Sequence, residues 1–263
     1  MTEVSTVVSA DGTKIAFERR GAGTPLILIG GAVNDRTTVA GLAEVLDGYT
    51  TIAYDRRGRG DSGDAETYSV DREVEDLAAL IEHVGGSAHV FGHSSGAVLA
   101  LEAASRGLSI NRVAAYEPPY IVDGSRPRPG DDLVDRVRAA LDAGDCDEAV
   151  TLFLVEGTDT PAGIVAGMKT APVWGWFTAL AHTLPYDLTI CGPGNHLPVS
   201  GLAKITVPTL VIGGGASPAW MPAGARAAAE AVPGGVYQTL EGQDHGVLQH
   251  PKTLLPLLTD FYG

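Results

Sequence analysis

Cysteine is nearly absent from this chain. Cys146 and Cys191 are too few and too far apart in sequence for a disulfide scaffold or a metal site, and neither an H-E-x-x-H nor a C-x-x-C spacing occurs. Basic charge is scarce too. Eighteen Lys and Arg stand against 32 Asp and Glu, a net charge of −14, which argues against nucleic acid or an anionic membrane as partner. No apolar run approaches the roughly 18 residues needed to cross a bilayer. The opening MTEVSTVVSADGTK has neither the basic start nor the long apolar core of a signal peptide. The expectation is a soluble cytoplasmic protein that takes no metal or cofactor and has a small molecule as its partner. Its oligomeric state is left open.

What is present is enough for a sizeable core. With 263 residues and 44% hydrophobic content, the chain suits one α/β domain carrying an inserted segment.

The most specific stretch is VFGHSSGAV, residues 90–98. Gly92-His93-Ser94-Ser95-Gly96 fits the G-x-S-x-G pattern only with Ser94 at its centre, because Ser95 would need a glycine at position 93. Between a strand and a helix this pentapeptide is a nucleophile elbow: a tight turn holds the serine hydroxyl clear of the sheet, and the glycines make room for neighbouring backbone. The flanks agree. AHVF is β-prone, and SGAVLALEAASRG reads as a helix ended by Gly107.

Along the chain, TEVSTVVSADGTKIAFERR reads as two strands turning at Asp11-Gly12, and TPLILIGG as a strand buried on both faces. A helix at about 37–46 and the strand TTIAYD follow. SVDREVEDLAALIEHVG is an amphipathic helix with Val74, Leu77, Ala78 and Ile81 on its apolar side and acids in its first turns. After the elbow comes the strand NRVAAYEPP. From about 118 to 205 the strand rhythm stops, and short helices separated by Gly and Pro take over. It resumes with VPTLVIGGG, an alanine-rich helix at about 221–231, the strand GVYQTLEG and a helix after Pro251. Such an alternation, broken by a helical insert, predicts a mostly parallel sheet with helices on both faces and a lid.

The chain resembles the α/β-hydrolase family over essentially its whole length. The resemblance is carried by the elbow, by YDRRGRGDS after the fourth strand, by the helical insert and by GQDHG near the end, with GHSSG…YEPP…SPAW similar to a subgroup of small serine hydrolases. It implies a core of residues 1–117 and 206–263, with a helical cap of residues 118–205 inserted after the sixth strand.

Ser94 needs a base to take its proton. Of the seven histidines, His245 has the fitting place, a Gly-rich loop after the last predicted strand. The acid is less plain. The family's usual position falls on Ser217, which carries no charge. Some members take the acid from the end of the strand after the elbow helix, and here that place holds Glu117. The order Ser94, Glu117, His245 then keeps the family's sequence of nucleophile, acid and base, with Asp123, Asp244 or no acid as alternatives. Backbone N–H groups of Ser95 and Ala32 are the candidate oxyanion donors. Asn34, Tyr120, Trp174, Trp176, Phe177, Trp220 and Met221 are candidates for the substrate pocket, which their size and polarity would make mainly hydrophobic.

The implied activity is hydrolysis of an ester, thioester or lactone through an acyl-enzyme. Two other classes are kept: cofactor-free non-hydrolytic chemistry (lyase, cyclase or oxygenase), and a catalytically silent binding protein on the same scaffold. GRGDSG, residues 58–63, spells a dinucleotide fingerprint, but Asp61 and Asp64 would repel a pyrophosphate.

Overall fold

The central strands are apolar on both faces because helices cover both. The computed structural model describes residues 3–263 other than Asp123 and Ser125. Its strands are β1 (Val4–Val8), β2 (Lys14–Arg20), β3 (Pro25–Ile29), β4 (Thr50–Tyr54), β5 (Ala88–His93), β6 (Ile110–Tyr116), β7 (Thr209–Gly214) and β8 (Val236–Leu240). They form one sheet in the order β1-β2-β4-β3-β5-β6-β7-β8. β2 runs antiparallel to β1 and β4, and every pairing from β4 across to β8 is parallel. This is the α/β-hydrolase fold, with a mostly parallel sheet.

The helices are α1 (Arg36–Val45), α2 (Val70–His83), α3 (Ser95–Ser105), α4 (Leu133–Asp142), α5 (Cys146–Leu152), α6 (Ala162–Met168), α7 (Val173–Ala179), α8 (Leu184–Cys191), α9 (Val199–Leu202), α10 (Trp220–Ala231) and α11 (Leu255–Tyr262). Strand residues alternate between the two faces of the sheet. Ile27 and Ile29 of β3, with Val90 and Val211, pack under α2, α3 and α10. Leu26 and Leu28, with Phe91 and Leu210, pack under α1 and α11. Gly107, at φ +77°, ends α3.

One detail of α2 differs from expectation. Ala78 is exposed, and Leu80 takes its place in the buried stripe. The reason lies in the acids, which do more than complement the helix dipole. Glu73 and Asp76 turn inward as partners for buried arginines, so the inward face is rotated toward them.

Between Tyr116 and Thr209 no strand occurs among the described residues. Helices α4 to α9 fill this stretch; α4 to α8 have a core of their own, in which Leu133, Val137, Ala149, Val150, Trp174 and Leu188 meet Val33 of the loop after β3, while Leu202 of α9 packs into the main core. No helix among the described residues is long and apolar enough to cross a membrane.

Candidate active site

The turn between β5 and α3 forces Ser94 into a conformation L-residues avoid, φ +57° and ψ −123°. Its backbone N–H donates to Tyr116 O at 2.9 Å, which ties the turn to β6. Both glycines of the motif are sterically required. A Cβ on Gly92 would overlap the Gly96 carbonyl oxygen, and one on Gly96 would lie 2.5 Å from Gly30 O. The elbow is therefore wedged between its own helix and the loop after β3.

Glu117 follows β6 and is fully buried, also with positive φ, at +46°. Its N–H donates to Ile212 O at 2.9 Å, while its Oε1 accepts from Gly214 N at 2.8 Å. Oε2 is left for His245, whose Nδ1 lies 2.8 Å away. A carboxylate only accepts, so Nδ1 carries the proton and Nε2 is the basic nitrogen. Ser94 and His245 line the same cavity.

Asp244 plays no part in this contact. It is exposed, and its Oδ1 accepts from Gly246 N at 2.8 Å. Asp123 lies outside the described residues. Ser217 Oγ is buried without a hydrogen bond among the described residues.

The backbone of the histidine loop is held twice. Tyr116 OH donates to Asp244 O at 2.7 Å, and His93 Nε2–H donates to His245 O at 2.9 Å. Burial, helped by the nearby His245, pushes His93 down to about 3, so its ring stays neutral. His93, adjacent to Ser94 in sequence, thus braces the backbone of His245.

The cavity is small, about 60 Å³, and its lining is chiefly apolar. Of the site candidates, the oxyanion residues Ala32 and Ser95 and the pocket residues Trp220 and Met221 line it. Five others do not, and each has a local reason. Asn34 turns its Oδ1 back to accept from Gly31 N at 3.1 Å, which makes it a brace of the loop after β3. Tyr120 is buried in the main core. Trp174 belongs to the cap core, where its indole N–H donates to Asp147 Oδ1 at 2.7 Å. Phe177 packs against that same core. Trp176 is 41% exposed and spans the seam between cap and core, donating from Nε1 to Val33 O at 2.7 Å.

Sequence reasoning missed several lining residues: Phe153, Thr158, Asp187, Leu188, Cys191 and Asn195. Phe153 opens a single π-helical turn, Phe153–Gly157, continuing α5. Such a turn adds a residue to the winding and re-aims side chains, often at functional sites, and no residue type announces it. The Cys191 thiol is pushed up to about 12 by burial and by the charge of Asp187, so it stays protonated.

Backbone strain gives an independent pointer to this region. Among the described residues, five other than glycine have positive φ: Val33, Ser94, Glu117, Asp159 and Asn195. Ser94 and Asn195 line the cavity, Val33 and Asp159 each adjoin a lining residue, and Glu117 holds His245. Strain of this kind, about 1–3 kcal/mol a residue, collects where a site needs an unusual geometry.

The GRGDSG loop is no phosphate cradle. Asp55 Oδ2 already accepts from Asp61 N at 2.9 Å, and a Cβ on Gly60 would overlap that carboxylate. Among the described residues no cluster of three or more His, Cys, Asp or Glu could hold a metal.

A family model described as the alpha/beta hydrolase family matches residues 26–256. The chain belongs to the α/β-hydrolase family. It is similar to the crystal structure of an alpha/beta hydrolase from Sphaerobacter thermophilus DSM 20745, with a TM-score of 0.93 and 50% identity over 98% of this chain and 100% of that one. It is 36% identical over 128 residues to N-formylmaleamate deformylase of Pseudomonas putida, a match covering 46% of this chain and about half, 48%, of that relative. It is also similar to a non-heme chloroperoxidase of Kitasatospora aureofaciens, at 28% identity over 92% of both chains.

Proposed function

We propose that this α/β hydrolase is a cytoplasmic serine hydrolase that cleaves an ester, thioester or lactone of a mainly hydrophobic small molecule, through an acyl-enzyme on Ser94. The observation carrying the reading is the 2.8 Å contact of His245 Nδ1 with the buried Glu117 carboxylate, beside a serine held in a strained elbow.

In the first half-reaction Ser94 Oγ bonds to the substrate carbonyl carbon while His245 Nε2 takes the hydroxyl proton. The imidazolium so formed donates from Nδ1 to Glu117. The carbonyl oxygen becomes an oxyanion facing the N–H groups of Ala32 and Ser95. The second of these heads α3, where a helix leaves its first N–H groups without internal partners. Collapse breaks the bond to the leaving group, which departs with the proton from His245. Water then gives a proton to His245, attacks the acyl carbon and releases Ser94 with its proton restored.

A cavity of only about 60 Å³, walled by Met221, Leu188 and Phe153, favours a short apolar acyl chain. The silent-binder alternative rested on the uncharged residue at position 217. The carboxylate that Glu117 brings to His245 removes that support.

The test is incubation with a fluorophosphonate followed by intact mass, alongside turnover of p-nitrophenyl acetate, by the wild type and Ser94→Ala. The reading expects one adduct and ester turnover in the wild type, and neither in the variant at unchanged circular dichroism. A wild type that labels but turns over no ester would point to non-hydrolytic chemistry.

A further inference from the structure

The loop 55–61 carries three buried arginines, and the triad uses none of them. Arg57 pairs with Asp76 at 2.7 and 2.8 Å, and Asp11 reaches it at 3.0 Å, so this residue only ties the hairpin to α2. Arg56 and Arg59 do something else. Both converge on one carboxylate that comes from the cap, Asp187 of α8.

Asp187 is buried and lines the cavity. Its Oδ1 accepts from Ser95 Oγ at 2.7 Å, Arg56 Nη1 at 2.8 Å and Arg59 Nη2 at 2.9 Å, and its Oδ2 accepts from Arg59 Nη2 at 2.8 Å. With four such contacts it has little capacity left for a substrate. Charge balances locally: Arg56 also pairs with Glu73 at 2.6 Å through both Nε and Nη2. Burial pushes the Asp187 carboxyl up, but the charges of Arg59 and Arg56 outweigh it and hold it below the usual range.

The other end of Arg59 gives this cluster its purpose. Arg59 Nη1 donates to Gly31 O at 2.6 Å and reaches Asn34 O at 3.3 Å. The Gly31 carbonyl and the Ala32 N–H are opposite edges of one planar trans peptide. Fixing the carbonyl therefore fixes the direction of the N–H, and a charged donor on the oxygen polarises that N–H into a stronger donor. Asp187 also accepts from the side chain of Ser95, and so holds the residue whose backbone supplies the second N–H at the head of α3.

We infer that Asp187 and Arg59 are positioning residues that aim both oxyanion donors, Ala32 N–H and Ser95 N–H, from a carboxylate carried by the cap. This rests on the serine-hydrolase reading above. Neither residue touches the reacting atoms. Their effect is on transition-state charge, so it falls on kcat rather than on KM.

The test compares wild type with Asp187→Asn and Arg59→Lys. The first keeps the size of the side chain and removes its charge. The second keeps the cluster neutral and loses the fork that spans Asp187 and Gly31. For each, kcat and KM for p-nitrophenyl acetate are measured well below the melting temperature, per site labelled by fluorophosphonate at completion. Inhibition by a trifluoromethyl ketone, whose hemiketal mimics the oxyanion, is measured alongside.

The expected result is a 10- to 100-fold fall in kcat per competent site, with KM within about twofold and ketone affinity weakened in proportion. Should Asp187→Asn fail to fold, Arg59→Lys decides alone, and Arg59→Gln replaces it if that too fails. An active wild type whose folded variants keep kcat and ketone affinity overturns this inference and leaves the serine-hydrolase reading standing. A wild type that neither labels nor turns over ester overturns both.

Discussion

Glu117 reaches His245 from the end of β6, across the end of β7, with its second oxygen on Gly214 N at 2.8 Å. The carboxylate is thus fixed by a β7 amide while it serves a histidine beyond β8. Ser217, at the loop position where an acid is usual, lies beside that glycine: its Oγ would be 2.8 Å from a Cβ placed on Gly214.

Replacing Glu117 by Gln keeps the size and removes the charge that faces the imidazolium. kcat for p-nitrophenyl acetate is expected to fall by as much as about 10⁴-fold with KM little changed. A near-normal kcat would remove Glu117 from the mechanism.

Ser217→Ala, by contrast, deletes a hydroxyl that makes no hydrogen bond among the described residues, so its kcat should stay within about twofold of wild type. Ser217→Asp added to Glu117→Gln should recover part of the lost rate. Added to the wild type it should lower the melting temperature, because two carboxylates then share one buried corner. Equal behaviour in both backgrounds would contradict this picture.

His93 sets an acid limit on stability. Its folded value, pushed down to about 3 by burial, lies below the roughly 6.5 of an unfolded histidine. As pH falls through that window the unfolded chain binds a proton that the folded protein refuses. Stability is therefore complete above about pH 6.5 and is lost toward pH 3, by up to about 1.4 kcal/mol per pH unit. Urea unfolding at pH 7.5, 5.5 and 4.5 should show a steeper loss for wild type than for His93→Gln, and parallel losses would refute it.

Two glycine substitutions should part company. Gly96→Ala puts a methyl 2.5 Å from Gly30 O, a backbone atom, and should cost about 3 kcal/mol or more along with activity. Gly175→Ala, on the exposed side of α7 with nothing within 4 Å, should be neutral or stabilising by up to about 1 kcal/mol. Thermal melts of the pair check this.

Much of this was legible in the sequence because the chemistry is local. The elbow, the alternation of strands and helices and the buried runs PLILI and TLVIGG all follow from residue type and spacing. Glu117 is singled out by the family resemblance, which implies an acid at the end of the strand after the elbow helix, rather than by a local signal. What stayed hidden depends on distant pairing. Nothing near Glu73 or Asp76 says that these acids turn inward, because their partners Arg56 and Arg57 lie in another loop. Trp174 and Trp176 were indistinguishable as letters. Asp147 takes one indole into the cap and Val33 O takes the other to the seam. Asp187, an ordinary acid in a helical insert, gains its meaning only from two arginines more than 120 residues away in sequence.

With Glu117 from the end of β6 facing His245, the loop after β7 supplies no carboxylate to that contact. Its continuation into α10 instead brings Trp220 and Met221 to the cavity wall. The contact on His245 and this part of the cavity wall then come from different strands of the sheet. Trp220 and Met221 offer a place where the shape of the cavity can drift, by selection or by engineering, while Ser94, Glu117 and His245 stay untouched.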